Sequence, residues 1–565
     1  MRRAPRQWVL PEGEAASQGG AFERIVRSRG ATLESVRARA GADDQEHDPF
    51  LLADMERAVA LLRRALAEDR SIAIYGDYDA DGVTASAVLL RALRARGRRA
   101  LAYIPRRQAE GYGLNREALL ELRGRGVELV ITVDCGTTAV EVVRQRPAGL
   151  ELIITDHHLP LAGAGSAEFE LAPADALVNP QRPDDLYPFK GLAGVGVAFK
   201  LVRALETVGE LPVGTAAAQL PLVALGTVAD MVPLLEENRE LVRRGLAGWA
   251  EDAPLGLRAL ARVAGVTPPL GSADLAFSLG PRINAAGRME DAEVALRCCL
   301  AESVEEAEAA AARLQALNRD RRLALAQALV VARPAVEALA EGQAAIVLGS
   351  SEIPPGVVGL VAGRLSEEFG RPSFVYNRSG AEWRGSARGV SGLDVVRVLS
   401  SCREMLLRYG GHRGAGGFTL SPEPGLADRL PAALGAAVAE QLGARAPLRT
   451  FQVDARVELG ECDLDLAEQL QLLQPCGVGN PPVLLCASDC RVVATEPLGR
   501  DGAHLRVRLA DRAGRAEAIT FNRPHLRTHL PAGRRVDALF ELELDRWRSR
   551  RRARLLLRDL RPAQA

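Results

Sequence analysis

Short apolar runs that end at acidic residues mark three places in the first half of the chain. Residues 71–75, 129–133 and 152–155 are apolar and rich in β-branched side chains, which predicts strands buried on both faces of a parallel sheet. Helix-like and strand-like segments alternate to about residue 250 and predict a doubly wound α/β domain. Since functional groups gather beyond the carboxyl ends of such strands, the acids should converge on one crevice.

A second α/β region follows a long helix. Residues 302–331 are rich in Ala and Glu and end shortly before Pro334, which predicts a connecting helix. Apolar runs at 344–348 and 374–376 predict strands, and a helix is predicted over 356–369. We therefore expect two α/β lobes joined by this helix.

The last part of the chain has the alternating pattern of half-buried strands. Residues 505–509, 518–521 and 538–542 alternate in this way and predict a small β-barrel. The predicted parts are an N-terminal extension (1–48), a first α/β domain (49–300), the connecting helix (301–335), a second α/β domain (336–448) and a barrel domain with its linker (449–565).

Composition argues against membrane-spanning, secreted and cysteine-rich classes of protein. The 565 residues are 47% hydrophobic and 25% charged, with a net charge of zero. Neither a run of about 18 apolar residues nor a signal-peptide core is evident, so we expect a cytoplasmic protein without membrane association. The eight cysteines include no CxxC pair, which argues against a zinc knuckle or a disulfide framework.

The strongest chemical signal is a cluster of three alternate carboxylates, Asp77, Asp79 and Asp81, directly after the first strand. Such close acids repel one another unless a cation offsets their charge, and hard oxygen ligands suit Mg²⁺ or Mn²⁺. A solvated turn is the alternative for this segment alone. The solvated turn is a weaker explanation because Asp134 and Asp156 follow the other two strands, and Asp230 ends a further apolar stretch.

These motifs, in this order, resemble the DHH family of phosphoesterases, and within it the single-strand-specific exonucleases. The resemblance covers most of residues 70–490. It rests on the segments 77–82, 132–136, 156–158, 226–230, 282–288 and 410–417.

The resemblance implies roles for individual residues. Asp134 would bridge two metal ions, His158 would face the scissile phosphate or the leaving oxygen, and Asp156 would orient a metal-bound imidazole. The implied metal ligands are Asp77, Asp79, Asp81, Asp134, His157 and Asp230, and the implied catalytic residues are His158, Asp134 and Asp156. The implied substrate-binding residues are Arg107, Arg282, Asn284, Arg288, Ser386, Arg388 and His412.

The resemblance further implies a DHHA1-type second lobe and an OB-fold barrel. The expected activity is 5′→3′ hydrolysis of single-stranded DNA to 5′-mononucleotides with two Mn²⁺ or Mg²⁺ ions, in repair and recombination. A single-strand-binding protein and a helicase are expected partners. A phosphodiesterase for short oligoribonucleotides or cyclic dinucleotides, a nuclease that degrades both DNA and RNA, and a non-catalytic DNA-binding scaffold are alternatives.

Two further features bear on substrate binding. Ile353 and Pro354 stand where relatives carry Trp-His, so we expect weaker base stacking and an altered grip on the substrate. The arginine-rich run 546–554 is interpreted as a phosphate track, with an exposed strand edge as the alternative.

Overall fold

The computed structural model describes residues 1, 4–12, 19–41, 46–107, 110–111, 113–162, 169–443, 448–499, 502–547 and 550–563. The chain forms two compact units. The smaller unit comprises Met1–Trp8, Ala285–Asp291 and Arg313–Phe451, and the larger unit comprises Val9–Asn284, Ala292–Ala312 and Gln452–Ala565. None of the helices within the described ranges combines the length and apolar character needed to cross a bilayer.

A five-stranded parallel sheet forms the centre of the larger unit, with the strand order β3-β2-β4-β5-β8. Its buried apolar strands agree with the sequence prediction. The elements up to its last strand are β1 (Arg6–Val9), α1 (Ala21–Ser28), α2 (Leu33–Gly41), α3 (Met55–Ala67), β2 (Ile72–Tyr75), α4 (Ala80–Ala95), β3 (Leu101–Tyr103), α5 (Arg116–Gly124), β4 (Leu129–Val133), α6 (Val140–Arg144), β5 (Glu151–Thr155), β6 (Leu161–Ala162), β7 (Phe169–Glu170) and β8 (Ala176–Val178).

Helices follow this sheet, and α4 packs against both α7 and α8. They are α7 (Gly194–Thr207), α8 (Leu220–Ala229), α9 (Glu236–Ala247), α10 (Trp249–Asp252), α11 (Leu255–Ala264), α12 (Ser272–Asp274), a π-helix (Leu275–Leu279), α13 (Gly280–Met289), α14 (Glu293–Leu300) and α15 (Val304–Glu337). Helix α15 continues past Pro334, beyond its predicted end. A proline inside a helix costs about 3 kcal/mol, and the fully buried Ala332 and Val336 offset this cost by packing on both sides of it.

The smaller unit contains a mixed five-stranded sheet with the order β12-β13-β11-β10-β9. Its elements are β9 (Ile346–Ser350), α16 (Val358–Phe369), β10 (Ser373–Asn377), β11 (Trp383–Arg388), α17 (Val395–Ser401), β12 (Arg408–His412), β13 (Ala415–Leu420) and α18 (Leu426–Leu442). The α/β character of this lobe is as the sequence predicts. Helix α17 is short, and a 3-10 turn, Arg403–Met405, follows it.

A closed β-barrel completes the chain. It follows β14 (Arg449–Gln452), which pairs with β1 in a separate two-stranded sheet. The elements of the barrel region are β15 (Ala455–Arg456), α19 (Leu464–Gln469), β16 (Leu485–Leu498), β17 (His504–Ala510), β18 (Arg515–Thr520), α20 (Leu526–His529), β19 (Arg535–Trp547) and β20 (Arg550–Pro562). The order β16-β17-β18-β20-β19, closed by pairing of β19 with β16, gives the OB-type barrel predicted from sequence.

The N-terminal extension belongs partly to this barrel. Phe22, Ile25 and Val26 of α1 are buried in the same apolar cluster as the barrel strands, and Arg29 forms an ion pair of 2.7 Å with Asp454. The sequence prediction assigned no packing partner to this segment. In the arginine-rich run, Arg548 and Ser549 lie outside the described residues, so the phosphate track stays a prediction.

Candidate metal centre and nucleic-acid site

The acids that follow neighbouring strands β2, β4 and β5 meet at the carboxyl edge of the parallel sheet. Ligand atoms lie within 4.8 Å of one another in three overlapping groups. The groups are Asp77, Asp79 and Asp134; Asp81, His157 and Asp230; and Asp134, His157 and His158. All six residues expected as metal ligands therefore lie in one centre, and Asp134 and His157 each belong to two groups.

Several acceptor atoms in this centre are buried without a hydrogen-bond partner among the described residues. They are Oδ1 of Asp77, Oδ1 of Asp134 and Nε2 of His157. The last two atoms lie 3.1 Å apart. Because leaving buried polar atoms unpaired is costly, this arrangement fits residues that share a cation.

Burial and mutual repulsion disfavour the charged form of these carboxyls in the absence of a cation. Burial, followed by the charge of Asp79, raises the pKa of Asp77 to about 8. Burial and neighbouring carboxylates also raise the pKa values of Asp81 and Asp134. Burial lowers the pKa of His157, which leaves its imidazole neutral and able to act as a ligand. The donor set therefore fits a hard divalent ion.

Two of the acids also hold helix termini in place. Asp79 caps α4, since its Oδ1 accepts hydrogen bonds from the backbone N–H groups of Asp81 (2.9 Å) and Gly82 (3.1 Å). The carboxylate oxygens of Asp81 accept from the N–H groups of Gly194 (2.7 Å) and Val195 (2.8 Å), where α7 begins. Asp81 thus joins α4 to α7, a role that its sequence context did not indicate.

Gly194 provides a test of how closely this centre is packed. A Cβ atom at Gly194 would lie 2.6 Å from Cβ and 2.7 Å from Oδ1 of Asp134. We expect Gly194→Ala to destabilise the protein by about 1–3 kcal/mol, because the inserted methyl group overpacks the core. We expect it to reduce turnover at least about tenfold, because it displaces Asp134.

Thermal unfolding and steady-state rates measure these two effects. Gly124→Ala is the matched control, because Gly124 ends α5 and a Cβ there would meet nothing within 4 Å. Equal stability and activity of the two variants would show that the close approach of Gly194 to Asp134 is unimportant.

The DHH triplet follows β5 directly. Oδ1 of Asp156 lies 2.7 Å from Nδ1 of His158, and Oδ2 accepts from the backbone N–H of Thr137 at 2.9 Å. Burial opposes protonation of His158, but the charge of Asp156 and the hydrogen bond to it raise the pKa of His158 to about 9. Burial likewise opposes ionisation of Asp156, yet His158 holds the pKa of Asp156 below its usual value.

The expected role of Asp156 is to orient a metal-bound imidazole. Its carboxylate contacts the ring of His158, which belongs to one of the ligand groups, and the backbone N–H of His157. His158 therefore carries a positive charge beside the metal centre at neutral pH.

Two of the residues expected to bind substrate, Asn284 and Arg107, lie beside the loop that carries the metal ligands. Asn284 Oδ1 accepts from the backbone N–H of Ala80 at 2.9 Å, so its side chain holds the metal loop in addition to any substrate contact. The guanidinium of Arg107 lies 5.0 Å from the ring centroid of Tyr78, and its charge offsets a small part of the rise in the pKa of Asp77 that burial causes. Arg107 thus lies at the centre, and Tyr78 is a neighbour that sequence reasoning did not single out.

Three of the expected substrate residues lie on the sheet of the smaller unit. Arg388 Nη1 donates to Ser386 Oγ at 2.9 Å. His412, Ala415 and Arg388 form one cross-strand row over β12, β13 and β11, so their side chains share a face. A Cβ on Gly359, in the first turn of α16, would lie 3.0 Å from Ser386 Oγ and 3.2 Å from Arg388 Nη2. A helix N-terminus thus approaches Ser386 and Arg388, as in many anion sites.

Arg288 and the Ile353-Pro354 segment also belong to the smaller unit. Arg288 lies in α13, and its backbone oxygen would be 2.3 Å from a Cβ on Gly356. Ile353 is fully buried in an apolar cluster, and Asn377 Nδ2 donates to its backbone oxygen. A base can stack at position 353 only on an exposed side chain. The presence of isoleucine where relatives carry tryptophan therefore affects core packing rather than a surface available to bases. Pro354, in contrast, is exposed.

Comparisons with known proteins agree with this geometry. The model of the DHH family, N-terminal domain, matches residues 71–227, and that of the RecJ OB domain matches residues 453–559. The chain is 35% identical over 589 residues to the single-stranded-DNA-specific exonuclease RecJ of Dickeya dadantii, covering 99% of this chain and 98% of that protein. It is 34% identical over 544 residues to RecJ of Bacillus subtilis, covering 95% of this chain and 67% of that protein.

The fold comparison gives the same result. The crystal structure of RecJ from Thermus thermophilus in complex with Mn²⁺ matches with a TM-score of 0.79 at 30% identity, covering 99% of this chain and 80% of that one. The same protein in complex with Mg²⁺ matches with a TM-score of 0.75 at 29% identity, covering 99% of this chain and 79% of that one. Sequence, domain content and fold agree, and the chain belongs to the RecJ family of DHH phosphoesterases.

Proposed function

We propose that this protein is a metal-dependent exonuclease that degrades single-stranded DNA from the 5′ end and releases 5′-mononucleotides. The observation that carries the proposal is the cluster of buried carboxylates and His157, whose unpaired oxygen and nitrogen atoms face one another at the carboxyl edge of the sheet. Membership of the RecJ family adds the substrate class, since the relatives are named single-stranded-DNA-specific exonucleases. Repair and recombination are the pathways that fit this activity.

Different residues of the centre would bind the metal ions and donate a proton during phosphodiester hydrolysis. Asp77 and Asp79 on one side, and Asp81, His157 and Asp230 on the other, would hold two Mn²⁺ or Mg²⁺ ions, with Asp134 shared between them. When bound, such ions supply Lewis acidity that activates water and offsets charge at phosphorus. His158, kept protonated by Asp156, would donate a hydrogen bond to the scissile phosphate or a proton to the departing 3′-oxygen.

The 5′ polarity rests on an anion site in the smaller unit. Ser386 Oγ, the guanidinium of Arg388 and the first turn of α16 lie together, and His412 shares their sheet face. Charge-assisted hydrogen bonds to a terminal phosphate would select the 5′ end. These residues would bind the terminal phosphate of the strand.

Arg388→Ala tests this assignment. We expect kcat/KM on 5′-phosphorylated single strands to fall about 10- to 100-fold, the value of a lost charge-assisted contact. We expect little change on strands that lack the 5′ phosphate. Arg397→Ala, an exposed arginine of α17, is the control and should behave like wild type. An equal loss on both substrates would remove Arg388 from 5′-end recognition.

A substrate panel tests the proposed function against its alternatives. Single strands labelled at either end, duplex DNA, matching RNA, dinucleotides and cyclic dinucleotides are incubated with Mn²⁺. Immediate release of mononucleotide from 5′-labelled DNA, with duplex intact, is the expected result. Cleavage of dinucleotides alone would favour the small-substrate phosphodiesterase. Equal cleavage of RNA would extend the substrate class, and binding without cleavage would favour the scaffold.

We further propose that the protein acts in the cytoplasm on strands supplied by a helicase and covered by a single-strand-binding protein. An enzyme that accepts only single strands needs another activity to open duplex DNA. Added helicase should therefore permit digestion of duplex DNA by this protein, and a purified mixture without such stimulation would argue against the partnership.

A further inference from the structure

Phe277 stands out among the described aromatic side chains of the larger unit. It is 82% exposed, whereas the other two exposed phenylalanines in the described part of the chain, Phe169 and Phe521, are 48% and 49% exposed. It lies in the π-helix Leu275–Leu279, directly before α13. π-helical turns are rare and occur frequently at functional sites.

A cation lies at the same turn as this aromatic ring. The guanidinium of Arg282 folds back along the helix, and its Nη1 donates to the backbone oxygen of Ser278 at 2.5 Å. Ser278 follows Phe277 in sequence, so the positive charge lies against the backbone next to the residue that carries the exposed ring. Single-strand-binding surfaces combine these two features, because bases stack on aromatic rings while cations contact phosphates.

The same segment is tied to the metal centre at two points. Asn284 contacts the loop of Asp79 and Asp81 through its hydrogen bond from Ala80 N–H. A Cβ on Gly280 would lie 3.1 Å from Cβ of Ala229, which directly precedes Asp230. Phe277 and Asn284 are seven residues apart, about 10 Å along a helix. The backbone that carries the exposed ring is therefore within about two turns of a residue that contacts the metal loop.

We propose that Phe277 stacks on one base of the bound single strand, close to the scissile phosphate and beside the substrate contact already expected for Arg282. The inference rests on the proposed function, since it places that same substrate. Phe277 is a binding residue that fixes the register of the strand. This stacking contact does not depend on the base sequence, because every base has a flat apolar face.

The test compares Phe277→Ala and Phe277→Trp with wild type on single strands that carry one abasic residue at successive positions. Hydrolysis by wild type should be slower when the abasic residue lies at one particular position relative to the cleaved bond. Phe277→Ala should lose about 10- to 100-fold in kcat/KM on intact strands, mainly through KM, and should no longer respond to that position. Phe277→Trp should restore both. Val213→Ala, at a side chain that is 96% exposed, is the control.

A readout without turnover uses the Asp134→Asn background and 2-aminopurine at the responsive position. Stacking should quench its fluorescence, and the quenching should disappear with Phe277→Ala. If wild type digests single strands but Phe277→Ala matches it at every abasic position, Phe277 has no stacking role. If wild type digests no single strand, the proposed function itself fails and the inference fails with it.

Discussion

Asp134→Asn is expected to reduce the hydrolysis of single-stranded DNA by at least about 1,000-fold, because the residue belongs to a catalytic unit whose members act together. Asp134 takes part in two of the three ligand groups, and its unpaired Oδ1 lies 3.1 Å from Nε2 of His157. Asparagine keeps the volume but removes the charge that would hold two cations. Steady-state rates with saturating Mn²⁺ measure the loss.

Thermal unfolding separates loss of metal binding from misfolding. In metal-free protein the raised pKa values mean that the folded state binds more protons than the unfolded state, so its stability falls as the pH rises from about 4 to 8. Asp134→Asn removes one of the repelling charges and should be more stable than wild type at pH 7 without metal. It should gain less stability than wild type on addition of Mn²⁺. A variant that keeps the full Mn²⁺ gain would show that Asp134 is not a ligand.

Asp156→Asn and His158→Ala are expected to have the second largest effect. Loss of a positioned proton donor lowers turnover about 100- to 10,000-fold. Both variants should retain most of the Mn²⁺-dependent gain in stability, because Asp156 contacts the His158 ring and not the ring of His157. Rates and thermal shifts on the same preparations measure the two properties.

The pH dependence distinguishes the two variants. In wild type, His158 stays protonated up to about pH 9, since Asp156 outweighs the effect of burial on its pKa. Without that carboxylate, burial lowers the pKa of His158, so Asp156→Asn should be more active at pH 6 than at pH 8 relative to wild type. His158→Ala should show no such recovery. Loss of the Mn²⁺ gain in Asp156→Asn would instead support the sequence-based view that Asp156 serves the metal-bound imidazole.

Much of the centre could be predicted because local patterns determine it. Parallel strands end at one edge of a sheet, so Asp77, Asp134 and Asp156 had to meet once their strands were recognised. Asp230 was a weaker candidate because it ends helix α8, which is apolar on all sides and has no helical periodicity to separate it from a strand. The alternation that predicted the barrel strands was equally local.

Other features depend on contacts between distant parts of the chain. The bonds from Gly194 and Val195 to Asp81, and from Ala80 to Asn284, join segments more than 100 residues apart. No spacing pattern reveals such pairs. The choice of His158 rather than His157 as partner of Asp156 depends on ring orientation, which neighbouring positions in sequence do not determine.

Neither the burial of position 353 nor the packing of the N-terminal helix was expected from the sequence. Position 353 was interpreted as a base-stacking site because relatives carry a tryptophan there, yet Ile353 is fully buried. The apolar spacing of Phe22, Ile25 and Val26 fits one helix face and was an available signal for a packed N-terminal helix.

The most direct test of the account is a time course on a 5′-labelled single strand, with wild type and Asp134→Asn first stripped of metal and then supplied with Mn²⁺. The account predicts that stripped wild type is inactive, that Mn²⁺ restores release of labelled 5′-mononucleotide, and that Asp134→Asn stays inactive at every Mn²⁺ concentration. Metal-independent digestion, or equal digestion by the two proteins, would contradict the assignment of this centre to phosphodiester hydrolysis.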